Sequence, residues 1–412
     1  MGMFIFTGAI LLLFALYGAL IAWYRKAWTE IPVYSTLTTR HSPPTTHHYL
    51  DHNVSSIGLD EPPLSVSPLT TITVLIPVRN EENNITACLE SLSRQTYPMT
   101  LFQVIIIDDH STDGTWPLLQ SLRFPDMQTQ YLQLADTAPD TVKAHKKFAI
   151  ERGVHQARGE LIVTTDADCS FHPDWLTTLA GFYEATGAKF IAAPVKIGEG
   201  TRSATFLAIF QTLDFVTLQG ITGAAVHRKF HSMCNGANLA YQRSAFLEVD
   251  GFRDIDDIPS GDDMFLMHKI YKKYPSQVFF CKSRQAIVTT RPETHWKGFV
   301  HQRIRWASKA DRYDDKRIFR VLLLVYVINL LFLILLAAAF WNSWYLYILL
   351  ALLLVKTIVE FPFVGSVSRF FGQQRLMVYF PLLQPFHIIY TIVIGWLGKF
   401  GSYQWKERKI TK

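Results

Sequence analysis

Three groups of acidic residues and one Arg–Trp pair punctuate the middle of this 412-residue chain. Asp108-Asp109 follows the apolar run Val104–Ile107, and Asp166-Ala167-Asp168 follows Leu161–Thr165. Gly261-Asp262-Asp263 comes later, and Gln302-Arg303-Ile304-Arg305-Trp306 closes the series just before the chain turns apolar. Carboxylates at the carboxyl ends of parallel strands lie where an open α/β sheet binds its ligand. Several of them converging there imply a divalent cation and an anionic substrate. Asp166 and Asp168 flank a single residue, so in a tight turn one or both can reach a hard cation such as Mg2+ or Mn2+. Such an ion keeps open positions for phosphate oxygens and neutralises charge growing on a diphosphate as it leaves. Taken alone, a D-x-D pair is far more often an ordinary solvated turn or helix cap, and its weight comes from its neighbours.

Positioning these groups requires strands and helices in alternation, and the texture from Ile72 onward supplies them. Ile72–Pro77 reads as a short buried strand. Asn80 is placed to cap a following helix, on which Ile85, Cys88, Leu89 and Leu92 fall on one face. Gln103–Asp108 is the next strand, with Thr112–Gly114 in its turn. A helix at about Lys146–Ala157 precedes a strand at Leu161–Asp166, and Phe190–Val195 is a further strand. This order predicts an α/β fold, a mainly parallel sheet with helices on both faces. No internal repeat is visible.

The 49% hydrophobic content is unevenly distributed. Phe4–Trp23 is nearly uncharged and long enough to cross a hydrocarbon core of roughly 30 Å. Val321–Phe340, Trp344–Val364 and Met377–Leu397 are similar, the last interrupted by Pro381 and Pro385. With no basic segment before it and no clear cleavage site after it, the first stretch is expected to be an anchor and not a signal peptide. The expected layout is an anchor over 1–26, a linker over 27–71, a catalytic domain over 72–310, a membrane region over 311–400 and a basic tail over 401–412.

Arg25 and Lys26 after the first span, and Arg312, Lys316, Arg317 and Arg320 before the second, place the middle region in the cytoplasm by the positive-inside rule. The net charge of +6 is explained by that topology and by anionic headgroups, with no nucleic-acid partner. Cys88, Cys169, Cys234 and Cys281 form no close pair and no zinc spacing, and read as reduced thiols. The linker's His41, His47, His48 and His52 lack a carboxylate or thiol to complete a metal set. Lys356 and Glu360 are spaced to pair across one helical turn, although a place near the cytoplasmic interface explains them more simply. With four simple spans the tail would emerge outside, against the charge of Lys399, Lys406, Arg408, Lys409 and Lys412. A re-entrant last segment, broken at its prolines, would return the tail to the cytoplasm, and both readings stay open.

Ile76-Pro77-Val78-Arg79-Asn80-Glu81, Asp108-Asp109-His110-Ser111-Thr112-Asp113-Gly114-Thr115, the lysine-bearing stretch from Lys146-Lys147 to Glu160, and the D-x-D strand occur in that order. Together they resemble family 2 glycosyltransferases, and the likeness covers about residues 72–310. The resemblance implies a GT-A nucleotide-sugar domain between one N-terminal and about three C-terminal transmembrane or re-entrant helices. It implies that Asp108 and especially Asp109 contact the base and ribose of the donor. Asp168, helped by Asp166, would hold Mg2+ or Mn2+ on the diphosphate, and Lys146 would add charge near the nucleotide, with Lys147 as the competing candidate.

Gly236-Ala237-Asn238, ahead of Tyr241 and Arg243, is similar to the family's acceptor-side loop, so Gly236 and Asn238 are expected near the acceptor. Gly261-Asp262-Asp263 matches the place of the catalytic base, with Asp263 the first choice and Asp262 the second. An inverting transfer needs one carboxylate to take the acceptor hydroxyl's proton. Gln302-x-x-Arg305-Trp306 resembles the Q-x-x-R-W motif of membrane-embedded members. Arg305 would offer its fork to diphosphate oxygens, Trp306 a stacking face for an acceptor sugar, and Gln302 hydrogen bonds to hydroxyls. A juxtamembrane amphipathic helix explains the same residues, and both roles are compatible.

The expected activity is inverting, metal-dependent transfer from a nucleotide-diphosphate sugar, a UDP-sugar first, to a membrane lipid or short glycan, at the cytoplasmic membrane. Ceramide glucosyltransferases are similar in layout. The alternatives are a processive synthase of the cellulose, chitin, hyaluronan or poly-N-acetylglucosamine type, and a membrane scaffold with an inactive transferase domain.

Overall fold

The computed structural model describes residues 2–35, 68–134, 144–198, 205–230, 233–309, 315–405 and 408–410. In chain order the elements are α1 (Gly2–Glu30), β1 (Ile72–Val78), α2 (Ile85–Ser93), β2 (Phe102–Asp108), α3 (Thr115–Ser121), β3 (Gln128–Gln133), α4 (His145–Gln156) and β4 (Leu161–Thr164). They continue with β5 (Ser170–Phe171), α5 (Trp175–Thr186), β6 (Phe190–Ala192), β7 (Val195–Ile197), α6 (Phe206–His227), β8 (Leu239–Gln242), α7 (Arg243–Glu248) and α8 (Asp262–Lys273). The series ends with β9 (Val278–Phe280), β10 (Val288–Thr290), α9 (Trp296–Ala307), α10 (Lys316–Ala338), α11 (Trp344–Phe370), α12 (Phe380–Phe400), β11 (Tyr403–Trp405) and β12 (Arg408–Ile410).

The main sheet runs β3-β2-β1-β4-β8-β6-β9. β1 is parallel to β2 and β4, and β2 to β3, whereas β8 is antiparallel to both β4 and β6. A small second sheet, β5-β10-β7, stands beside it. The ends of β2 and β4 therefore lie on the same edge, with β1 between them.

Alternation along each strand sends side chains to two different cores. Val74, Ile76, Val104, Ile106, Leu161 and Val163 pack on one face with α2 and α5. Leu75, Ile105, Ile107 and Ile162 face the other, and that core is continuous with the membrane helices through Tyr24, Trp28, Phe363 and Phe370. α6 is the bridge between them. It is buried nearly all round and packs against both α1 and α11. Gly220 and Gly223 permit this approach, because a Cβ at either would lie under 3 Å from Val367 and Phe363, or from the Trp28 ring.

Several expectations need correction. Asn80 does not cap α2, which begins at Ile85. Its φ is +52°, and its side chain instead accepts from the Thr112 N–H at 2.9 Å. The single strand expected at Phe190–Val195 is two, β6 and β7, in different sheets, divided at Pro194, whose carbonyl accepts from Val288. Helix α1 runs on to Glu30, and Tyr34 N–H donates to the Lys282 carbonyl, so residues 27–35 are docked structure and not linker. The four linker histidines and Arg312 lie outside the described residues.

Among the described residues, four helices are long and apolar enough to cross a membrane. Neither proline breaks α12. Pro381 sits in the first turn, where no amide is required, and the helix continues through Pro385 to Phe400. Lys356 and Glu360 do pair, at 2.7 Å. Both are buried and bound to Gln384 of α12, and Tyr17 of α1 donates to Glu360.

Candidate active site

The first two strands are locked together at their carboxyl ends by reciprocal side-chain bonds. Arg79 donates to the carbonyls of Asp109 and His110, each at 2.8 Å, Asn80 accepts from Thr112, and Glu82 accepts from Gly114 N–H at 2.7 Å. Asp113 caps the first residue of α3, accepting from Thr115 N–H at 3.0 Å. The lock turns Asp108 inward. It is fully buried, accepts from Ser111 N–H at 3.4 Å, and burial raises its pKa. Asp108 is therefore not among the residues lining the cavity, whereas Asp109 is.

Asp109 lines the cavity, with one carboxylate oxygen 2.9 Å from His110 Nδ1 and 3.3 Å from His145 Nδ1. The ligand atoms of these three residues lie within 4.8 Å of one another, close enough to share a metal ion. His110 and His145 were not singled out in the sequence. His145 is brought there only because α4 starts beside the end of β2.

Of the adjacent lysines, the structure turns Lys146 to the cavity. Its Nζ is 2.7 Å from Asp166 and 3.4 Å from Asp262. Burial opposes its charge, but the two carboxylates outweigh that and raise its pKa. Lys147 points the other way, donating to the carbonyls of Ile255 (2.5 Å) and Ile258 (2.9 Å), and burial pushes it down to about 8. Asp168 accepts from the Thr290 hydroxyl at 2.8 Å, and burial together with Asp166 raises its pKa.

Gly261, at φ +82°, turns the chain into α8, so Asp262 and Asp263 occupy the helix's first turn, where its dipole favours carboxylates. Burial would raise the Asp262 pKa, but Lys146, Lys309 and Lys147 overcome it and hold the group below the usual carboxylate range. Asp263 accepts from Gly236 N–H at 3.1 Å and Met264 N–H at 2.8 Å, with Lys309 at 3.8 Å. Gly236 is tightly flanked. A Cβ there would sit 3.3 Å from both Asp262 and Lys146. Asn238 is corrected to a core position. It is fully buried, accepts from Trp175 Nε1 and donates both amide hydrogens, to the carbonyls of Pro194 and Ala286, away from the cavity.

Helix α9 brings Gln302, Arg305 and Trp306 to the same cavity. Arg303, between them, is buried, 2.9 Å from Asp214 of α6, and its guanidinium lies 4.2 Å from the Trp306 ring centre. It also donates to Gln302 Oε1 at 3.3 Å. His387 of α12 faces the same aspartate at 3.9 Å. The pair was missed in the sequence because Asp214 and Arg303 stand far apart in an apolar helix and a basic one. The spacing of Phe299, Arg303 and Trp306 along one helical face was the available signal.

Asp109, Lys146, the Asp166–Asp168 pair, Asp262, Asp263, Gln302, Arg305 and Trp306 line one cavity of about 1570 Å³. Its floor is Asp109, Lys146, Asp166, Asp168, Asp262 and Asp263. Its other end lies among α1, α10, α11 and α12, where apolar Ile21, Phe319, Leu322 and Leu383 surround a small polar group of Tyr17, Glu360, Gln384 and His387.

Residues 73–249 match the family model described as glycosyl transferase family 2. Glycosyltransferase AglE of Haloferax volcanii is 31% identical over 199 residues, covering 47% of this chain and 58% of that protein. Probable glycosyltransferase YdaM of Bacillus subtilis is 26% identical over 250 residues, covering 59% and 56%. The chain thus spans little more than half the length of these curated relatives. In fold it is similar to mannosyltransferase PcManGT from Pyrobaculum calidifontis, solved with GDP-Man and Mn2+, with a TM-score of 0.54 at 19% identity over 92% of this chain and 96% of that one. The sheet order and this likeness make the domain a GT-A fold.

Proposed function

We propose that this chain, which carries a family 2 glycosyltransferase domain at residues 73–249, moves a sugar from a nucleotide-diphosphate sugar to the hydroxyl of a membrane lipid, with inversion at the anomeric carbon. The observation that carries the reading is the single cavity running from the carboxylate cluster to the apolar walls of α1, α10 and α12. A soluble acceptor needs no such wall, whereas a lipid needs its reactive head among polar groups and its chain among apolar ones. PcManGT was solved with GDP-Man and Mn2+, and a UDP-sugar is the first donor to test here. The basic residues Arg25, Lys26, Lys316, Arg317 and Arg320 beside the domain support a cytoplasmic placement.

In this reading Asp109, braced by His110 and His145, receives the ribose and base. Asp166 and Asp168 offer hard oxygen donors that suit Mg2+ or Mn2+. The raised pKa of Asp168 beside Asp166 fits a site completed by positive charge. A bound divalent cation would supply charge neutralisation for the departing diphosphate. Lys146 supplies positive charge of its own from the same side, and Arg305 faces the cavity from α9.

Asp263 takes the proton of the acceptor hydroxyl as its oxygen bonds to the anomeric carbon and the bond to diphosphate breaks. Asp262 is the poorer base, because Lys146 and Lys309 stabilise its charged form. Gln302 and Trp306, braced by Arg303, contact the acceptor head. The test is incubation of detergent-purified chain with radiolabelled UDP- and GDP-sugars, native lipids and Mn2+ or Mg2+, followed by organic extraction. A discrete extractable glycolipid is expected, and a high-molecular-weight ladder or a water-soluble product overturns the lipid acceptor.

A further inference from the structure

Helix α12 is as long and apolar as a membrane span, yet its neighbours run the wrong way for one. Phe386 packs on Trp296 (ring centres 5.6 Å apart), and Tyr390 on Phe299 (5.7 Å). Ile394 then clusters with Ile304, and a Cβ at Gly398 would lie 2.5 Å from the Ala307 side chain. Numbers rise together on both helices, so α12 and α9 lie side by side and parallel for about 18 Å at 1.5 Å per residue. They must share one inclination to the bilayer. Helix α9 carries Lys297, His301, Gln302, Arg303 and Arg305 within twelve residues and borders the carboxylate cavity. Such a helix cannot traverse hydrocarbon, and α12 therefore cannot either.

Both ends of α12 are also held to the catalytic domain. Before it, Gln373 Nε2 donates to the Ile197 carbonyl at 2.9 Å, and Arg284 reaches the Arg369 carbonyl at 3.4 Å. After it, β11 rests against α9. Between these anchors α12 passes Tyr326 of α10, whose ring would meet a Cβ on Gly395 at 2.8 Å. Tyr326 is six residues past Arg320, the last charge on α10, so the crossing is shallow, roughly 9 Å into the apolar stretch. Leu382, Pro385, Ile389, Val393, Trp396 and Phe400 form an exposed stripe at helical spacing on the face away from α9. Exposed Arg375 and Lys399 bracket the helix.

We infer that α12 lies in the plane of the membrane, its Leu382–Phe400 stripe seated in the headgroup–acyl boundary, and that the C-terminal tail stays on the catalytic side. The chain then crosses the bilayer three times, through α1, α10 and α11. An apolar face sunk several ångströms below anionic headgroups, with cations at both ends, is the arrangement an interfacial helix adopts. The basic tail now obeys the charge rule that four crossings would violate.

The test uses single cysteines in the full chain, with the parent, whose four cysteines are buried or half-buried, as background. Thr411→Cys should react with a membrane-impermeant maleimide from the same side as Asp126→Cys in the catalytic domain, and from the side opposite Asn342→Cys. Labelling of Thr411→Cys together with Asn342→Cys overturns the inference. Spin labels at Leu382→Cys and Phe400→Cys, 18 residues apart, should read the same depth within about 5 Å. A spanning helix would separate them by about 27 Å, and a difference above roughly 20 Å refutes the in-plane placement. Neither readout depends on transferase activity, so this inference and the proposed function fail separately.

Discussion

Replacing Asp214 by Asn tests how the acceptor end of the site is held. The side chains of Arg303 and Asp214 are 2% and 7% exposed and meet at 2.9 Å. Attraction at that distance is roughly 6 kcal/mol at an effective dielectric constant of about 20, largely offset by the cost of burying both charges. Removing one partner leaves the other charged and dry, which costs about 3–5 kcal/mol. Arg303 Nη2 meets Asp214 without hydrogen-bond alignment, so the lower end, about 3 kcal/mol, is expected. That corresponds to a fall of about 5–10 °C in the unfolding midpoint in detergent. Arg303 also braces Gln302 and Trp306, so acceptor KM should rise about tenfold, or roughly 1.4 kcal/mol, while donor affinity holds. The double variant D214N/R303M removes the orphaned charge and should recover most of the midpoint but not the acceptor KM. If the two single losses simply add in the double variant, the pair is not coupled and the reasoning is wrong.

Asp263→Asn should reduce transfer by at least 10²–10⁴-fold with nucleotide affinity nearly unchanged; loss of nucleotide binding in calorimetry would remove it from the role of base. Asp168→Asn should weaken nucleotide binding in Mn2+ but not in EDTA, and equal affinities in both would end its metal role. Gly236→Ala places a methyl group 3.3 Å from Asp262 and Lys146, and should lower kcat several-fold without moving the unfolding midpoint; full activity would mean this corner is looser than it looks. Burial holds Lys147 near 8, so between pH 8 and about 10.4 the unfolded chain binds the extra proton and stability rises with pH. The midpoint of the parent should therefore climb relative to Lys147→Met over that window, and parallel pH profiles would contradict it.

What could be read in the sequence was whatever local periodicity and short spacing encode. β1, β2 and β4 are four to seven residues long and end within two residues of their expected bounds, because their apolar runs stop at polar residues, Arg79-Asn80 after β1 and the aspartates at the ends of β2 and β4. The direction each acid faces was not legible. Asp108 ends β2 and Asp109 is the next residue, so their side chains diverge, and only the Arg79 and Ser111 contacts decide which turns inward. Asn238 looked available for an acceptor because nothing local reveals that Trp175 and two distant carbonyls consume its amide. The Lys146–Lys147 ambiguity has the same origin, since adjacent positions on α4 differ by about 100° and the facing wall comes from α8. For α12, composition described a span, and only its partner α9 reveals the inclination.

The core shared by the sheet and the membrane helices sets an order of assembly. Trp28 on the first helix finds its neighbours on Gly223 and Phe280, and again on Phe370. Its last partner is about 340 residues downstream, which at roughly 5–20 residues per second means some 20–70 s of synthesis. α6 covers part of the inner face of α1 earlier, but throughout that time the part that packs on α11 stays uncovered, and the sheet lacks part of one wall. The nascent chain must be shielded until the α11 segment arrives. A soluble fragment cut free of α1 and α11 would carry that opening permanently, so this domain completes its core only together with its apolar helices.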